Sequence, residues 1–96
     1  MITVTITETN GIRKWSHRAR TKDAQIAIIR TMNKYFPQSH NFIPDDADNA
    51  PVLFAAVAST PNVKVTGHIW KPMWQRGICW NVKGSAVTVT LHNSSL

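Results

Sequence analysis

The stretch ITVTITETNGIRKWSHRAR, residues 2–20, decides how the rest of the chain is read. Ile2, Val4 and Ile6 alternate with Thr3, Thr5 and Thr7, the period of a half-buried strand built from β-branched residues. Asn10-Gly11 follows, the strongest short-range signal for a hairpin closed by a two-residue type I′ loop. That loop predicts the pairs Thr9–Ile12, Ile6–Trp15, Val4–His17 and Ile2–Ala19. The core face then carries Ile2, Val4, Ile6, Trp15 and Ala19, with His17 on the same side as a packing residue. Lys14, Arg18 and Arg20 look outward with Ser16 and the three threonines, which places a basic patch on a hydroxyl-lined surface.

Downstream of the hairpin, Thr21 is expected to cap a helix over 22–36, with Asp23 in a first turn where the macrodipole favours it. Ala24, Ala27, Ile28, Met32, Tyr35 and Phe36 form its apolar stripe, and Pro37 stops it. Residues 37–44 (PQSHNFIP), held between two prolines, read as a loop. Asp45 or Asp46 then caps a shorter helix through Ser59, with apolar positions Ala47, Ala50, Leu53, Phe54, Val57 and Ala58. A buried strand over PVLFAAVA is the alternative, since a short apolar run does not separate the two. After Pro61 the period returns to two. Val63, Val65 and Ile69 alternate with Lys64, Thr66, His68 and Trp70; KPMWQRG (71–77) reads as a turn; Ile78, Trp80 and Val82 alternate again. A loop at Gly84-Ser85 would pair Val82 with Val87, Trp80 with Val89 and Ile78 with Leu91, and the tail beyond His92 is expected to fray. The fold class is therefore α+β: one domain over 1–96, with a hairpin in 1–20, a helical segment in 21–60 and a three-stranded antiparallel meander in 61–92.

Composition bounds the rest. The chain has 96 residues, a net charge of +6 and 43% hydrophobic residues, which suits one modest core and argues against wholesale disorder. A lone Cys79 forms no internal disulfide, which suits a reducing, cytoplasmic compartment. No secretory signal is visible, and no apolar run approaches the roughly 20 residues of a membrane span. Residues 61–96 carry Lys64, Lys71, Arg76 and Lys83 with no acidic side chain, and residues 1–30 carry six cations against Glu8 and Asp23. Basic ends of this kind suit phosphate or an acidic protein face.

Motifs for chemistry are sparse. His17, His40, His68 and His92 sit on separate elements, and none has the i, i+4 partner of a zinc helix. The expected register puts Cys79 opposite Thr90 and near His92, which reads as a chance neighbour rather than a nucleophile–base pair. Asp45, Asp46 and Asp48 lack the glycine and terminal glutamate of a calcium loop. The glycines are not spaced as a phosphate loop. The expectation is a non-enzyme with no cofactor and no metal.

Four tryptophans remain to be placed. Trp15 and Trp80 are expected inside the core. Trp70 and Trp74 bracket a loop with Lys71, Gln75 and Arg76, and aromatics interleaved with cations suit a protein hot spot or single-stranded nucleic acid. Helix-turn-helix spacing, an RRM aromatic signature and a KH loop are all missing. The candidate binding residues are thus Trp70, Lys71, Trp74, Gln75 and Arg76, with Lys14, Arg18 and Arg20 as a second patch.

Val4–Thr9 (VTITET), a hairpin, then His17-Arg18-Ala19-Arg20 leading into an alanine/isoleucine helix resembles the opening of small phage-borne anti-CRISPR proteins directed at type I systems. The resemblance covers about 30 of the 96 residues, and the second half does not share the pattern. It implies a non-catalytic inhibitor docking on a CRISPR surveillance complex or its nuclease, and it carries over no functional residue. The expected function is a small basic binding protein whose partner is a larger protein or nucleoprotein complex. Direct binding of single-stranded or structured nucleic acid is the alternative. No membrane partner is expected, and the sequence leaves the oligomeric state open.

Overall fold

The computed structural model describes all 96 residues. β1 (Ile2–Glu8) and β2 (Lys14–Ala19) pair antiparallel in the expected register, with Ile2 opposite Ala19, Val4 opposite His17 and Ile6 opposite Trp15. The turn between them is not type I′. Gly11 donates its N–H to the Glu8 carbonyl (2.8 Å) and has a left-handed φ of 77°, whereas Asn10 has no positive φ. A type I′ loop needs both central residues at positive φ. Asn10 instead accepts the Ile12 N–H on its Oδ1 (3.1 Å), a local turn that competes with further strand pairing.

α1 spans Ala24–Tyr35 and is capped by Asp23, not Thr21. The Asp23 Oδ1 accepts from the Ile26 N–H (3.0 Å), the reach a cap requires, while the Thr21 hydroxyl accepts from the Asp23 N–H (3.1 Å). Phe36 is extended, as a residue before proline prefers, and ends the helix. Ala24, Ala27, Ile28 and Met32 are buried as expected, and the small alanines let the helix lie close to the sheet. Tyr35 is not on that stripe. It is 39% exposed, and its hydroxyl donates to the Ser16 carbonyl (2.6 Å) on the free edge of β2.

The 37–44 segment is not wholly loop: β3 (Asn41–Pro44) pairs with the next strand along its edge. Four residues ending in a proline are too few to show a periodicity, so only the presence of a long neighbour makes this strand. α2 (Ala50–Ala56) settles the helix-or-strand question as helix. Pro51 sits in its first turn, where a missing N–H costs nothing, and Asp46 closes the preceding turn by accepting the Asn49 N–H (3.1 Å).

The C-terminal third is antiparallel sheet, but in two long strands rather than three short ones: β4 (Asn62–Gln75) and β5 (Ile78–Asn93). Pairing runs from Asn62–His92 to His68–Ala86 and resumes at Trp70–Lys83, so Gly84 and Ser85 together oppose the single residue Ile69. That is a β-bulge, and it occupies the place where a loop was expected. A Cβ at position 84 would collide with the Ile69 carbonyl, which is why the bulge takes a glycine. The expected pairs Val82–Val87, Trp80–Val89 and Ile78–Leu91 are absent; the partners are Lys71, Met73 and Gln75. The tail does not fray at His92. Asn93 donates its Nδ2 to the Val57 carbonyl (2.8 Å), and the Ser94 N–H donates to the Met1 carbonyl (3.1 Å).

The finished sheet has the order β2-β1-β5-β4-β3, with both helices against one face. Ile2, Val4, Ile6, Val89 and Leu91 are fully buried there. Each such side chain contributes about 1.5–3 kcal/mol of transfer free energy, which makes the central pair β1–β5 the stable heart of the domain. No helix is long and apolar enough to cross a membrane.

Candidate binding arm and bare sheet face

Past the bulge, β4 and β5 leave the body as a two-stranded arm. Its strands run from Trp70 to Gln75 and back from Ile78 to Lys83, about 20 Å at the usual rise per residue. The arm gives the molecule its length, 49 Å against 26 and 25 Å in the other directions. Arg76 and Gly77 close it as a two-residue loop, both at positive φ (51° and 77°). The type I′ arrangement expected at Asn10-Gly11 is found here instead. An arginine at the first position conceals it.

Alternation assigns the two faces of the arm. One face carries Met73, Trp80, Val82 and Ile78 with Lys71 and Gln75 between them; the other carries Trp70, Pro72 and Trp74 with Cys79, Asn81 and Lys83. Large apolar side chains lie open on both: Trp74 is 72% exposed, Ile78 66%, Trp80 42% and Met73 42%. The placement of Trp80 in the core is therefore corrected. It does lie on the helix side of the sheet, but β5 has run beyond the body by that point and no helix covers it. Trp15 does pack inward, its ring 4.8 Å from that of Phe36 and partly buried against the core.

Of the residues expected to bind, Trp70, Lys71, Trp74, Gln75 and Arg76 all fall on the arm, so the structure brings them together on one projecting element. They form strand and turn, not the loop expected over 71–77. Sequence reasoning missed Ile78 and Trp80 because it folded their strand back over the sheet. Lys14 and Arg18 lie on β2, at the opposite edge of the body, and Arg20 follows it with its carbonyl accepting from Arg30 (3.2 Å). The two groups are separate surfaces.

The second surface is the sheet face turned away from the helices, which no element covers. Register places its side chains in three cross-strand rows: Lys14–Thr7–Thr88–Thr66, Ser16–Thr5–Thr90–Lys64 and Arg18–Thr3–His92–Asn62. Within them the Thr5 and Ser16 hydroxyls meet at 3.4 Å and the His92 Nδ1 faces the Asn62 Oδ1 at 3.0 Å. Strand parity alone shows the β1 and β2 part of this face. Thr66, Thr88, Thr90 and Lys64 join it only through the pairing of β5 between β1 and β4.

Between the arm base and the end of α1 lies a cavity of about 210 Å³, lined by Arg13, Trp15, Phe36, His40, Lys71 and Ser85 among others. It is smaller than the roughly 300–1,000 Å³ of small-molecule sites. Arg13 is already engaged there: its Nε donates to Glu8 (2.5 Å), and its guanidinium lies over the Trp15 ring at 5.4 Å. The hydrogen bond to Glu8, and then its charge, hold the Arg13 guanidinium above its ordinary pKa. Cys79 pairs with Trp74 on the arm, whereas His92 pairs with Thr3 and Asn62 at the far end of the body, so the two are not neighbours. No three His, Cys, Asp or Glu side chains converge at one point.

No family model, curated protein or solved structure matches the chain. The functional reading stands on this geometry.

Proposed function

We propose that this protein is a small non-catalytic binding module that docks on a larger protein or nucleoprotein complex by inserting its β-arm. The observation that carries the reading is the exposure of large apolar side chains on both faces of the arm. A hairpin that lies on a surface needs one apolar face. A hairpin apolar on both faces is suited to a cleft that encloses it. A two-stranded hairpin is marginal by itself in water, and uptake by a partner would bury Trp74, Ile78, Trp80 and Met73 together. Tryptophan and arginine dominate interface hot spots, where losing one costs roughly 2 kcal/mol or more of binding. Lys71, Arg76 and Lys83 surround these side chains, and no carboxylate accompanies them. This favours an acidic rim on the partner.

The resemblance of the N-terminal third to anti-CRISPR proteins makes a type I surveillance complex or its nuclease the first partner to test. The three arm cations support a second reading, direct binding of nucleic acid by the arm. It predicts a steep log-linear loss of affinity with salt, where protein docking predicts a shallow one.

The test is capture of the partner from native-host extract and then from purified components. Trp74→Ala combined with Arg76→Ala is expected to abolish capture with the melting temperature nearly unchanged. Arg18→Ala with Arg20→Ala is expected to weaken capture chiefly at low salt, as steering charges do. Normal capture by the arm variant would show that the arm is not the site.

A further inference from the structure

The bare face differs from an ordinary solvated sheet surface in the sign of its charge. Solvated faces carry both signs interspersed. Here the three rows hold Lys14, Arg18 and Lys64 and no carboxylate. Of the chain's five carboxylates, four are placed elsewhere. Glu8 is buried on the helix side against Arg13, Asp23 caps α1, and Asp46 and Asp48 lie between β3 and α2. Asp45 borders the face, its N–H donating to the Thr66 carbonyl (3.1 Å), and its carboxylate is held by His68 at 2.7 Å, which leaves the three cations of the rows unopposed.

We propose that this face binds the phosphate backbone of duplex nucleic acid without reading its sequence. Phosphate oxygens are held by Lys and Arg together with Ser and Thr hydroxyls, and Thr3, Thr5 and Thr90 supply hydroxyls between the cations. The four strands span about 14 Å and the three rows about 14 Å at ordinary sheet spacings, a patch the size of a few phosphates along a duplex groove edge. The rows contain no Trp, Tyr or Phe, and their one aromatic ring, the His92 imidazole, is engaged by Asn62 at 3.0 Å, whereas single-strand binders stack successive bases on a series of aromatic side chains. Duplex is therefore the form that fits. The chemistry is common to DNA and RNA. This inference is independent of the arm reading and deepens it in one respect: a protein that holds an arm in a protein cleft and this face on phosphates belongs on a nucleoprotein.

With three phosphates neutralised, log K should fall against log salt with a slope of about −2.7, so raising salt from 50 to 200 mM lowers affinity about 40-fold. The experiment titrates labelled 16-base-pair DNA and RNA duplexes, and a 16-nucleotide single strand, with the full chain. Two variants of equal charge are compared: Lys14→Gln, Arg18→Gln, Lys64→Gln on the face, and Lys71→Gln, Arg76→Gln, Lys83→Gln on the arm. The face variant is expected to lose binding at least tenfold and most of its salt slope, and the arm variant to stay within about twofold of wild type. Backbone amide shifts on adding duplex, measured on the wild type, should cluster in β1, β2, residues 62–66 of β4 and residues 88–92 of β5, and spare residues 70–83. Equal loss in both variants, tighter binding of the single strand, shifts confined to the arm, or no duplex binding at 50 mM salt would each overturn the proposal.

Discussion

Trp80→Ala, set beside Trp15→Ala, measures how far β5 runs past the body. If β5 turned at Gly84-Ser85, Trp80 would lie over the sheet, and its removal would cost the 3–5 kcal/mol typical of a buried Trp→Ala change. With Trp80 on the arm, 42% exposed and paired only with Met73, the substitution is expected to cost about 0.5 kcal/mol, as surface changes do. Trp15 touches Phe36 and the core while keeping part of its surface in water, so about 2–4 kcal/mol is expected for its removal. A chain of 96 residues has a total stability of roughly 5–14 kcal/mol. Each kcal/mol moves the melting point of a domain this size by about 4–8 °C. Trp15→Ala should therefore melt some 10–25 °C lower than wild type, and Trp80→Ala within about 4 °C. Urea and thermal unfolding followed by far-ultraviolet circular dichroism read both values, and tryptophan emission should lose a red, solvent-exposed component only in Trp80→Ala. A loss above about 2 kcal/mol in Trp80→Ala would refute the extended arm and restore the folded-back strand.

Gly84→Ala should force the bulge away from the Ile69 carbonyl and cost about 1–3 kcal/mol, as overpacking does, with amide exchange in the arm accelerating beyond the global change. Arg76→Asn should relieve part of the roughly 1–2 kcal/mol cost of a left-handed non-glycine residue, slowing exchange at the Gln75 and Ile78 amides, the pair that flanks the loop; faster exchange would show that the arm is not closed by a type I′ loop.

The N-terminal hairpin was legible because its information is local. Strict alternation through Ile2, Val4 and Ile6 leaves only one set of side chains fit for burial, and slipping the register by one residue would expose all of them. Even with the turn type misread, Ile6 meets Trp15 as expected, because the apolar pattern and not the loop governs the pairing. The stripe of α1 was legible for the same reason. The expected position of its cap was two residues early because both Thr21 and Asp23 are capable caps, and only the packed position of the helix selects between them. The arm lay beyond local reading. Gly84-Ser85 has the composition of a turn, and the same two residues serve as a bulge when a continuous strand faces them. Choosing between these depends on whether β4 extends to Gln75, and β4 extends because β5 pairs with it on one side and β1 holds β5 on the other. The residue types that bind were thus written in the chain as exposed tryptophans and unopposed cations. Their division into a projecting arm and a bare polar face was decided by the sheet, whose strand order β2-β1-β5-β4-β3 brings together hydroxyls and cations some 60–90 residues apart in the chain.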